Sequence, residues 1–223
     1  MSSFEERRKG RNTRKHEFRT PHTNSYLIVT EGESTEPNYF NGLRSIIQEK
    51  VGGNVEVVNL PKIDVRGTGK STGRLIEKVN MIVNKSKIMY QNIWVVFDKD
   101  DFQDFDSAIK FANEAGYKVA WSNQSFEYWL YLHFYYSDVA LHRDQWVEKL
   151  DDLFKQHNLN GGKYSKNCSE LYVIMDMNNG VEKAIVNAKR RMESFDYQSD
   201  LPSKYEPGTT VYQLVEELKK YID

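Results

Sequence analysis

The sequence predicts an α/β fold in which a mostly parallel sheet is covered by helices on both faces. Four short apolar runs carry this expectation: YLIVT (26–30), VEVVNL (55–60), IWVVF (93–97) and YKVAW (117–121). They alternate with longer segments whose apolar residues recur at helical spacing, the pattern of a parallel sheet built from crossover units. From about residue 125 the character changes to aromatic and helical stretches.

Taken in order, the first run is bounded by polar residues and then by Glu31-Gly32, as a central strand would be. Ser34 or Thr35 is placed to cap a helix that starts at Pro37, where proline loses no hydrogen bond. Tyr39, Leu43, Ile46 and Ile47 then form one apolar stripe. After the second strand, Leu75, Ile76, Val79, Ile82, Val83 and Ile88 mark a helix within 72–89. The third strand is the most apolar. Phe105, Ala108, Ile109 and Ala112 line the next helix, which Gly116 stops, and the fourth strand follows.

Beyond it, SFEYWLYLHFYY is too aromatic and too long for a strand in this company, and helical stretches are expected near 144–156, 168–175, 180–195 and 209–221. The chain thus divides into a basic, flexible arm (1–22), an α/β core (23–124) and a mainly helical layer or cap (125–223) that completes the domain.

Composition narrows the function classes. A chain of 223 residues at 39% hydrophobic can bury one substantial core. No run of 18 apolar residues and no basic-then-apolar leader is present, so neither a membrane span nor a secretory signal is expected. The single cysteine, Cys168, excludes an internal disulfide framework and a multi-cysteine zinc site, and the five histidines show no i,i+4 pairing. A cytoplasmic protein whose metal ligands, if any, are mostly oxygen is the consequence.

The net charge of −1 conceals an asymmetry: residues 1–20 hold seven Lys or Arg against three Glu, and the remainder is acidic. Such an arm adds affinity for nucleic acid by neutralising phosphates, or is a solvated tail.

Ligands of a parallel sheet collect at the carboxyl ends of its strands. Glu31 follows the first strand, Asp98 and Asp100 follow the third with Asp101 alongside, and Glu127 lies just past the last strand at the same edge. Carboxylates brought together repel, so they must take up protons or a divalent cation. An all-oxygen set without histidine or cysteine suits Mg²⁺ or Mn²⁺. Glu36 stands near a helix start, where the dipole alone explains a carboxylate. If the stretch Asp98-Lys99-Asp100 is still extended, its two aspartates face the same way.

GTGKST (67–72) looks like a nucleotide phosphate loop, but a Walker loop needs a glycine where Asp64 stands, and Pro61 separates the strand expected at 55–60 from the glycines. Two readings remain. One is a loop leading into a helix from Ser71 or Thr72, and the other is a loop presenting Lys70 and Arg66 to a nucleic-acid phosphate.

An E-G after a first hydrophobic strand together with a later D-x-D resembles the Toprim fold of topoisomerases, primases and related nucleases. The stretches LIVTEGESTEPNYF (27–40), WVVFDKDDF (94–102), SNQSFEYWLYLHF (122–134) and EPGTTVYQLVEEL (206–218) resemble the RloB-like family of bacterial phage-defence proteins, close to the AbiLii proteins of abortive-infection systems. The resemblance implies a Toprim-like (Rossmann-like) fold, an acid–base role for Glu31, and Asp98 and Asp100 as the metal-binding pair. Glu127 belongs to the RloB-like stretch alone. The length leaves little room for the tyrosine domain of a topoisomerase, so the activity implied is metal-dependent phosphodiester hydrolysis of nucleic acid, DNA ahead of RNA. Glu31, Asp98 and Asp100 would act, with Glu36, Asp101, Glu127, Lys70 and Arg66 as accessories. The resemblance also implies a neighbouring gene for an AAA- or ABC-type ATPase. The competing reading is a non-catalytic sensor or adaptor that binds nucleic acid or that ATPase.

Overall fold

The computed structural model describes residues 20–21, 24–52, 62–69, 72–100, 103–196 and 201–222. Its sheet has the order β3-β2-β5-β6-β7, with β2 at Ser25–Thr30, β3 at Lys62–Gly67, β5 at Asn92–Asp98, β6 at Lys118–Asn123 and β7 at Gly208–Thr209. The first four are parallel, and β7 pairs antiparallel to β6. A two-residue strand β1, Thr20–Pro21, pairs with β4, Ile88–Met89, beside this sheet. The helices are α1 (Thr35–Gly52), α2 (Thr72–Lys85), α3 (Phe105–Glu114), α4 (Phe126–Tyr131), α5 (Arg143–Gln156), α6 (Leu171–Asp176), α7 (Gly180–Met192) and α8 (Val211–Lys219).

Strand residues are distributed with period two between two cores, because successive side chains leave opposite faces of a sheet. Tyr26, Ile28, Trp94, Val96 and Ala120 join one core with α1 and helices α4 to α8. Leu27, Val29, Val95, Phe97 and Trp121 join the other with α2 and α3. Strands buried on both faces must be apolar throughout, which is why YLIVT and IWVVF read as they do. Val211, Leu214, Val215 and Leu218 of α8 lie fully inside the first core, so this stripe packs against the sheet instead of facing a partner. Among the described residues no helix is long and apolar enough to cross a membrane.

The strand expected at 55–60 lies outside the described residues, and the strand beside β2 is 62–67. Other expectations are corrected. A strand does run directly into the glycines of GTGKST. Ile88 belongs to β4 and not to the helix before it, which ends at Lys85. Thr209, expected in the last helix, is half of β7, too short a strand to leave a periodic signal. Residues 168–170 precede α6 as turns instead of forming its first part. Of the basic arm, Thr20 and Pro21 are strand-paired, and residues 1–19 lie outside the described residues.

Candidate functional site

The carboxyl ends of β2 and β5 meet through the backbone. Beyond the last pair of the ladder, the N–H of Glu31 donates to the carbonyl of Val96 at 2.9 Å, which locks the E-G turn beside β5. Thr30 Oγ1 donates to the Gly32 carbonyl at 2.8 Å and tightens that turn. A side chain at Gly32 would run into the Glu36 carboxylate, so the glycine makes room for it.

On the other side, the N–H groups of Lys99 and Asp100 donate to the carbonyls of Ser122 and Gln124 at 2.9 and 3.0 Å. Asp100 departs from the extended conformation, with φ at +42°, a left-handed geometry that aspartate tolerates better than most residues. With β5 ending at Asp98, the D-x-D is not the continuous extended stretch expected from the sequence, yet both aspartates line the same cleft.

That cleft has a volume of about 260 Å³ and is lined by Glu31, Glu36, Asp98, Asp100, Glu127 and Lys166, with the 32–35 turn and Phe126 completing it. Five carboxylates expected from the sequence are thus brought together from four elements of the chain. Arg66 is exposed on the edge strand β3 and does not line the cleft. Asp101 and Lys70 lie outside the described residues.

Crowding perturbs these groups. Burial raises Glu36 from its ordinary 4.5 to about 7, against the hydrogen bonds its carboxylate accepts from the N–H groups of Glu36 and Gly32, with the charge of Glu127 adding to the rise. Asp98 is held well above the usual carboxylate range, first by burial and then by Glu36, Glu127 and Asp100. Its Oδ2 accepts the Phe126 N–H at 2.9 Å. Its Oδ1 is shielded from solvent and has no hydrogen-bond partner.

Cations of the chain itself neutralise the two ends. Lys166 Nζ lies 3.2 Å from Glu127 Oε1, and Arg143 Nη1 lies 3.1 Å from Asp100 Oδ2. Glu127 is only 3% exposed and also accepts the Tyr164 hydroxyl at 3.0 Å. Lys166, Tyr164 and Arg143 are the residues that sequence reasoning missed. Lys166 has the look of one cation of a solvated face, and its separation from Glu127 by 39 positions carries no signal.

Among the described residues no three Asp, Glu, His or Cys side chains are arranged to hold a metal ion as the chain stands. The donor chemistry nevertheless fits a hard divalent cation. The set is all oxygen, and a buried carboxylate oxygen, Asp98 Oδ1, is without a partner.

The glycine loop is built differently from a phosphate cradle. The N–H groups of Thr68 and Gly69 donate to the carbonyls of Thr30 and Glu31 at 3.1 and 2.8 Å. The Glu33 carboxylate lies over Gly69, against any anion there. The strand context that a phosphate loop needs is present, but among the described residues the loop N–H groups are already engaged and the nearby charge is the Glu33 carboxylate.

No curated protein and no solved structure matches the chain. Residues 26–218, from within β2 to the last turn of α8, match the RloB-like protein family, and the chain belongs to that family.

Proposed function

We propose that the protein is a divalent-metal-dependent nuclease with a Toprim-like site, hydrolysing phosphodiesters of DNA or RNA as part of bacterial anti-phage abortive infection. The observation that carries this reading is the convergence of Glu31, Glu36, Asp98, Asp100 and Glu127 on one cleft at the carboxyl ends of β2 and β5. Glu31, Asp98 and Asp100 would hold Mg²⁺ or Mn²⁺. When bound, such an ion supplies Lewis-acid polarisation of a phosphoryl oxygen and an activated water. Glu36, raised to about 7, is able to hold or release a proton near neutrality, which suits it to proton transfer at the reacting phosphate. Glu127 fixes the Lys166 ammonium at the cleft.

The test is incubation of the full chain, alone and with any ATPase encoded beside it, with labelled DNA and RNA in Mg²⁺, Mn²⁺ or EDTA. Metal-dependent cleavage that Asp98→Asn abolishes is the expected result, and intact substrate under every condition would reject the reading.

A second reading, a non-catalytic sensor or adaptor that binds nucleic acid or that ATPase, has its own support. Arg143 and Lys166 already neutralise part of the cleft. It would be selected by metal-independent binding with unchanged substrate, and by defence that survives Asp98→Ala.

A further inference from the structure

The Lys166 ammonium stands among the carboxylates that a metal ion would otherwise have to neutralise. Besides its 3.2 Å contact with Glu127 Oε1, it feels the charges of Asp98 and Glu36. Burial pulls this amine down, but the three carboxylates outweigh burial and leave it raised. Its backbone is anchored, because its carbonyl accepts the Asn38 side-chain amide at 3.1 Å from α1. Two residues earlier, Tyr164 is fixed through its N–H to Asp151 Oδ1 at 2.9 Å and through its hydroxyl to Glu127.

The Lys166 side chain, by contrast, is 59% exposed. Charge rather than packing therefore places the ammonium, and a route to solvent stays open along the stem.

We propose that Lys166 is a resident counter-cation of the cleft, with which a divalent cation must compete, so that Lys166 sets the cation affinity of the site. The inference rests on the metal-binding reading given above. Asp98 Oδ1, shielded and unpartnered, is the ligand atom left over when Lys166 is satisfied at Glu127. An ion drawn to it meets the repulsion of the Lys166 ammonium, which is already held at Glu127 and feels the charge of Asp98. Because Tyr164 and Lys166 belong to the segment that joins α5 to α6, a shift of the helical layer that withdraws Lys166 would raise the affinity for metal without altering a ligand.

The experiment is calorimetric titration of Mn²⁺ into the full chain at pH 8, comparing wild type with Lys166→Met, Lys166→Gln and Lys166→Arg, each checked for folding by thermal melting. Partial exposure and screening limit the expected gain to about tenfold tighter Mn²⁺ binding for the Met and Gln variants. The Arg variant, which keeps the charge, should stay within about twofold of wild type. Binding by the Met or Gln variant when the wild type binds nothing would support the proposal in its strongest form. Wild-type binding that neither variant tightens would overturn it and leave the metal reading intact. No binding by any of the proteins would reject both.

Discussion

The end of β5 and the start of α4 are joined by one hydrogen bond, from the Phe126 N–H to Asp98 Oδ2 at 2.9 Å, while Oδ1 of the same carboxylate has no partner. One oxygen is structural and the other is available, and two substitutions separate these roles. Asp98→Asn keeps an acceptor for Phe126 and replaces a carboxyl whose ionisation burial and its neighbours disfavour, so its stability in denaturant should equal or exceed wild type. Asp98→Ala leaves that N–H unpaired and should be less stable than Asp98→Asn by about 1–2 kcal/mol. Both should lose Mn²⁺ binding and any metal-dependent cleavage. Equal stabilities for the two would show that the Phe126 hydrogen bond contributes nothing.

The pH dependence of stability follows from Glu36. Its folded value, about 7, lies above its ordinary value of 4.5, so the folded state binds the proton more tightly than the unfolded chain. The stabilisation is fully present below 4.5 and is lost as pH rises from there through about 7, with Asp98 acting in the same direction. Unfolding free energy measured without divalent ions should therefore fall across this window, by at most about 1.4 kcal/mol per pH unit for one group. Glu36→Gln should flatten the profile. Saturating Mn²⁺ should raise the melting temperature more at pH 8 than at pH 5, since at pH 5 it must displace protons. A profile that rises with pH over the same window in wild type would contradict the assignment.

Truncation tests the basic arm. Thr20 pairs with Ile88 in the small parallel sheet, so the cut belongs after residue 19. If Arg7 to Arg19 neutralise phosphates, the truncated chain should bind duplex DNA more weakly, with an unchanged melting temperature. Its salt slope should be reduced by about 0.9 for every phosphate the arm no longer neutralises. An unchanged slope would make the arm a solvated tail.

The glycine loop leads to an expectation about energy supply. With the Thr68 and Gly69 N–H groups engaged by Thr30 and Glu31, and the Glu33 carboxylate over the loop, the chain alone should not bind ATP–Mg²⁺ in calorimetry. Micromolar binding that Lys70→Ala abolishes would overturn this. Any ATP dependence of activity should then track a neighbouring ATPase.

The parallel architecture is legible because strands covered on both faces must be apolar along their whole length, and YLIVT and IWVVF leave no other assignment. The exception is instructive: KIDVRG (62–67) alternates charged with apolar residues, the period of a half-covered strand, and lacks the continuous apolar run by which YLIVT and IWVVF are read. Such a segment is acceptable only at a sheet edge, and β3 is at the edge.

The carboxylates are legible for a related reason. Glu31 and Asp100 follow, and Asp98 ends, parallel strands of one sheet, so topology alone brings them to the same edge, and Glu127 comes with β6. What only the tertiary structure decided is the counter-charge. Lys166, Tyr164 and Arg143 reach the cleft from loops and a helix start whose position depends on how α5 and α6 pack, and no periodicity records such an approach. The elevated pKa of Glu36 belongs to the same class. Burial and a neighbour 91 positions away produce it, and desolvation depends on what surrounds a group in space, which only the folded chain determines.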